Sequence, residues 1–229
     1  RRVLLWQMAA APLLWILVGA VGGFLGLLGG RLVAAGEAVF EALKGLSLEV
    51  TPNQKFYTIS KNLFNPTVNA RNWTLKIYGL VENPLQLSLE SLKAMPSHEE
   101  YVTFICISNE IGGNLIGNAK WKGVRVKDLL EGARVKAAAH KVIFRAHDGY
   151  STGVPLERCL GPQTFLAYEM NGQELPEDHG FPLRVVIPGY YGMKQPKWLT
   201  EIEVVEHDYK GYWEQRGWAD EAVVKTMSR

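Results

Sequence analysis

No charged side chain occurs between Val3 and Gly30, and this run constrains the chain more than any other feature. At 1.5 Å per residue its 28 residues would make a helix of roughly 42 Å, longer than a bilayer core requires. Soluble core helices seldom run so far without a charge, so the run predicts a membrane span. Residues 1–35 are therefore read as a transmembrane anchor or signal-anchor. Ala34, Ala35 and Ala38 offer small residues for cleavage, but the apolar stretch exceeds the roughly 7–15 residues of a removable signal core. Arg1 and Arg2 would stay on the cytoplasmic side, with Arg31 and Lys44 reducing the asymmetry, which places the following domain on the outer face of the membrane.

The opening Arg1-Arg2-Val3-Leu4-Leu5 also resembles a twin-arginine export signal. Residues 36–50 read as a juxtamembrane linker helix, with Ala38, Val39, Ala42, Leu43 and Leu46 near a helical stripe. From residue 51 to 229 the length suits one domain. A net charge of +2, with no Lys/Arg run interleaved with aromatics, argues against a nucleic-acid surface. Two cysteines, Cys106 and Cys159, exclude a disulfide framework, a CxxC metal site and a Cys-x-x-Cys-His haem attachment.

After Pro52 short strands and turns dominate. Trp73 to Tyr78 alternates at period two and ends at Gly79, and Ser88 caps a short helix that stops before Pro96. Glu100 to Ser108 is a β-rich run carrying Cys106, followed by a loop with Gly112, Gly113 and Gly117. Val124 to Leu130 passes from strand to helix, while Lys141–Ala146 and Leu183–Ile187 read as buried strands, the second stopped by Pro188. No βαβ rhythm is present, so the expected class is α+β with mixed, strand-rich sheets.

A lone cysteine on an apolar strand is ordinarily a small core residue. Here it precedes an ordered series: Trp121-Lys122-Gly123-Val124, then His179-Gly180-Phe181-Pro182-Leu183-Arg184, then Pro188 to Leu199, then Asp208-Tyr209-Lys210-Gly211. From about Thr51 to Tyr212 the series resembles the molybdopterin-binding domain of the sulfite oxidase family. The resemblance implies that family's α+β fold, a molybdenum-molybdopterin cofactor, one protein thiolate on the metal, and two-electron oxygen-atom transfer. Cys106 falls at the ligand position, and a polarizable sulfur suits a redox-cycling metal. The cofactor's phosphate-bearing pterin needs cationic and amide donors. The resemblance gives pterin contacts to Lys61, Asn62, Asp148, His179, Arg184, Gln195 and Lys197, with Gln195 and Lys197 in a backbone-and-lysine clamp, and it puts Tyr209 beside the substrate.

One departure bears on the substrate. Sulfite oxidases carry an arginine just past the metal-binding cysteine, whereas this chain reads Ile107-Ser108-Asn109-Glu110-Ile111. A carboxylate at Glu110 facing the pocket would repel sulfite or nitrate, so a neutral S-oxide or N-oxide is as good an expectation, with Lys194 partly restoring positive potential. Electrons would pass to a separate membrane cytochrome or quinone-linked partner. The alternative reading is a membrane-anchored accessory subunit that keeps the cofactor fold without turnover.

Overall fold

The computed structural model describes residues 48–225. The expected span and linker helix lie outside the described residues, and among the described residues no helix is long and apolar enough to cross a membrane. Ten strands form two sheets. The first has the order β2-β1-β10-β5-β6. It is built from β1 (Leu75–Gly79), β2 (Leu85–Leu87), β5 (Lys141–Ala146), β6 (Ser151–Pro155) and β10 (Leu199–Val205). The β1–β10 pairing is parallel and the other three are antiparallel, so the sheet is mixed as the sequence predicts.

The second sheet is antiparallel throughout. β3 (His98–Ile105) pairs with β4 (Ile116–Arg125), β4 with β7 (Phe165–Met170), and β7 with both β8 (Gln173–Glu174) and β9 (Arg184–Val186). Three short α-helices, α1 (Leu89–Lys93), α2 (Val126–Ala133) and α3 (Leu156–Leu160), and four single-turn 3-10 helices accompany the sheets among the described residues. The Ser88 hydroxyl accepts from Ser91 N and caps α1, as its sequence predicts.

Strand periodicity sorts the second sheet's side chains onto two cores. On β7, Leu166 and Tyr168 join the large core that also takes Ile77 and Leu75 of β1, Phe144 of β5 and Ile202 of β10. Phe165 and Ala167 point the other way, into a smaller core with Phe104, Trp121 and Val186. That outer core is covered by Phe56, which packs edge-on against Phe104 and Trp121. Arg184 pairs with Ala167 across the β7–β9 ladder and so falls on the same side as Val186, two residues on. A charged side chain is thereby delivered to an aromatic face, and that face becomes the wall of a cavity.

Candidate functional site

β3 ends at Ile105, and Cys106 follows at the lip of this cavity. Its N–H donates to Leu115 O at 3.0 Å, and its carbonyl accepts from Asn109 N at 3.0 Å, so the ladder continues one step before the chain turns. Cys106 is half-buried, and its sulfur lies 3.1 Å from Ser108 Oγ. Cys159 is instead fully buried in the large core, where desolvation pushes its thiol up. Of the two thiols, only Cys106 lines the cavity.

Arg184 forms the opposite wall. Its guanidinium lies 4.6 Å from the Phe104 ring centroid and 4.9 Å from that of Trp121. Nη1 donates to His179 O at 2.9 Å and Nη2 to Gln195 O at 3.3 Å. Nε is buried and has no hydrogen-bond partner. Among the described residues no carboxylate forms a salt bridge with this arginine, and burial lowers its pKa to about 10. Lys197 lies nearby, its Nζ donating to Asp178 O at 3.0 Å. Burial, then repulsion from Arg184, lowers its pKa to about 8. Gly180, at φ +112°, lets these strands approach: a Cβ there would come 2.9 Å from Lys197 Cα and 3.2 Å from Arg184 Cβ.

His179 Nε2 is 2.8 Å from Asn53 O and therefore carries the proton, and burial pushes its pKa down so that the ring is neutral near pH 7. Asp148 sits in the turn between β5 and β6, where Oδ1 accepts from Tyr150 N and Oδ2 from Asn62 Nδ2, each at 2.9 Å. Lys61 Nζ donates to Asn62 Oδ1 at 2.9 Å. Lys61 and Asp148 line the cavity, and Asn62 braces both from behind. The structure thus brings Cys106, Lys61, Asp148, His179, Arg184, Gln195 and Lys197 to one cavity.

Three expectations change. Tyr209 does not line the cavity; its hydroxyl lies 2.8 Å from Ser151 Oγ and 3.5 Å from Arg145 Nη1, because its segment packs beside β6. Lys194 cannot lend potential to the pocket, being 1% exposed and bonded to Glu214 Oε1 at 2.6 Å, Gly153 O at 2.9 Å and Asp220 Oδ1 at 3.1 Å. The Gln195 side chain is spent internally, accepting from Ile187 N and donating to Tyr190 O, both at 2.9 Å, which changes nothing in a reading that places its backbone at the cavity. Glu110 is exposed and away from the lining, so the repulsion argued from it falls away.

Sequence reasoning passed over Tyr57, Tyr150, Trp213 and Trp218, which also line the cavity. Tyr57 stacks on Phe56 at 5.5 Å, and burial pushes its phenol well up. The signal available was the aromatic pair in Phe56-Tyr57 and the Tyr212-Trp213 repeat of aromatics late in the chain.

Among the described residues no group of three or more His, Cys, Asp or Glu could hold a metal ion. A metal beside Cys106 would need other ligands, such as the sulfurs of a dithiolene. The unpartnered Arg184 Nε, together with two cations lacking carboxylate partners, fits an anionic, acceptor-rich group along the far wall. The residues present therefore suit a phosphate-bearing pterin with its metal end at Cys106.

The comparisons agree. The family model described as oxidoreductase molybdopterin binding domain matches residues 62–213. An uncharacterized oxidoreductase of Bacillus subtilis (strain 168), YuiH, is 38% identical over 74% of this chain and 85% of its own length. Mitochondrial sulfite oxidase of Rattus norvegicus is 36% identical over 73% of this chain but only 35% of its own, so this chain spans about a third of that relative. The sulfane dehydrogenase SoxCD of Paracoccus pantotrophus superposes with a TM-score of 0.66 at 25% identity, covering 71% of this chain and 45% of that one. By fold and by sequence, this chain belongs to the sulfite oxidase family of molybdopterin-binding oxidoreductases.

Proposed function

We propose that this domain carries out two-electron oxygen-atom transfer on a small neutral substrate, an S-oxide or N-oxide, in preference to sulfite. The carrying observation is a single accessible thiol, Cys106, facing a cavity whose far wall holds the unpaired cations Arg184 and Lys197. When bound, the molybdenum cofactor supplies the redox and oxygen-transfer chemistry. The chain's residues hold and shield it. Arg184 and Lys197 hold the anionic end, neutral His179 fixes the wall through Asn53, and Cys106 offers the thiolate. Trp213 and Trp218 line the cavity with apolar rings that would shield a bound cofactor from water. The neutral-substrate reading rests on the absence of arginine from residues 107–111, where the polar side chain nearest the sulfur is that of Ser108.

The same proposal includes a separate electron partner, a membrane cytochrome or quinone-linked protein, because the chain's two cysteines cannot attach a c-type haem through Cys-x-x-Cys-His. It also takes Val3–Gly30 as an anchor with the domain on the outer face of the membrane. The deciding experiment measures molybdenum and pterin in purified full-length protein. It then screens sulfite, nitrate, methionine sulfoxide and trimethylamine N-oxide with a redox dye. Turnover of a neutral oxide that disappears in Cys106→Ala supports the reading. Sulfite as the preferred substrate overturns the substrate class, and metal-loaded protein inert to every compound favours the accessory-subunit alternative.

A further inference from the structure

Ser108 is the polar group that the loop after Cys106 aims at the sulfur. The segment 107–110 has three polar side chains, and the other two are accounted for. Asn109 Oδ1 accepts from Leu115 N at 2.8 Å, and Glu110 stands exposed away from the cavity. Ser108 lines the cavity, with Oγ 3.1 Å from Cys106 Sγ. The geometry is held from several directions. Asn109 N closes on Cys106 O at 3.0 Å, Cys106 N on Leu115 O at 3.0 Å, and Gly113 N on Glu110 O at 2.9 Å. A Cβ at Gly113 would come 2.6 Å from Asn109 Oδ1, so a side chain there would push Asn109 off Leu115 N. The tight turn therefore presents the Ser108 hydroxyl to the sulfur.

We infer that Ser108 is a positioning residue that donates its O–H to the Cys106 thiolate and so sets the electron-donating strength of that sulfur toward the bound metal. A thiolate has no proton to give, so in that state the hydroxyl must be the donor. A hydrogen bond to a metal-bound sulfur withdraws electron density from it, which favours the reduced metal and raises the reduction potential. This inference rests on the cofactor reading above. It extends that reading by giving the Cys+2 position a role in tuning the metal.

The test uses the full-length holoenzyme and two variants, Ser108→Ala and Ser108→Thr. Ser108→Ala should keep wild-type molybdenum content, move the thiolate-to-metal charge-transfer band to longer wavelength and shift the metal couple to lower potential. Ser108→Thr retains the hydroxyl and should return both signals to the wild-type side. If Ser108→Ala is fully loaded and neither signal moves, or if Ser108→Thr behaves as Ser108→Ala, the inference is overturned while the cofactor reading stands. Wild-type protein that takes up no molybdenum overturns both, and metal content alone distinguishes that failure.

Discussion

Lys194 and Lys197 lie three residues apart, and their surroundings are opposite. Lys194 is buried within alternating charge: Glu214 and Asp220 bracket it, Asp220 also meets Lys141, and Lys141 meets Asp208. Lys197 and its neighbour Arg184 have cavity on one side and backbone carbonyls or aromatic rings on the other. The first cluster is a network of ion pairs that ties the segment from Asp208 to Asp220 onto β5 and β6, with Glu214 Oε2 left as its one buried oxygen without a hydrogen bond. The second is open, and its cations carry an unrelieved desolvation cost. A buried charge supplied with its partner holds structure together, whereas one left without it is poised for a ligand.

The strongest way to break this contrast is to remove Lys194. Lys194→Met leaves Glu214 buried without its cation and should destabilise the cofactor-free protein by about 3–5 kcal/mol in urea denaturation. Arg184→Met should divide its effects differently. Two carbonyls lose a donor, at about 1–3 kcal/mol, but an uncompensated charge is also removed, and the main loss should be of bound pterin and molybdenum in the purified protein. If Arg184→Met unfolds the chain and Lys194→Met does not, the contrast is wrong.

Lys197 sharpens it through pH. Its pKa falls from 10.5 in the ordinary state to about 8 in the fold, so the unfolded chain holds more protons between those values. The penalty is therefore fully present below about pH 8, and the stability of the cofactor-free protein should rise with pH through that window. Lys197→Met should flatten the slope, and so should loading with the anionic cofactor, as read by urea midpoints across pH. The smallest effect is expected at Tyr209. Tyr209→Phe loses the hydrogen bond with Ser151 and the long one from Arg145, together worth about 1 kcal/mol, and should leave steady-state turnover unchanged. A large fall in turnover would return Tyr209 to the reaction.

Much of the fold could be read from the chain, and the reasons are local. Lys141–Ala146 emerges with its predicted bounds because an apolar, β-branched run between turn residues has few other uses. β7 was missed: Phe-Leu-Ala-Tyr-Glu-Met is buried on both faces, and such a run has no period to separate strand from helix. β10 was passed over although Glu201-Ile202-Glu203-Val204 alternates at period two, with the glutamates on the face toward Tyr78 and Arg145. The site came from the ordered motifs and not from periodicity. Nothing local separates Lys194 from Lys197, because the partners of Lys194 arrive with Glu214 and Asp220, after β10 has crossed the first sheet.

Phe56 covers the outer core from a stretch that precedes every strand of the domain. Any shortened version for expression must therefore start upstream of Asn53, whose backbone oxygen also secures His179. A version starting at Lys61 would bare Phe104 and Trp121, and that sticky aromatic surface would promote aggregation before any question of catalysis could be asked.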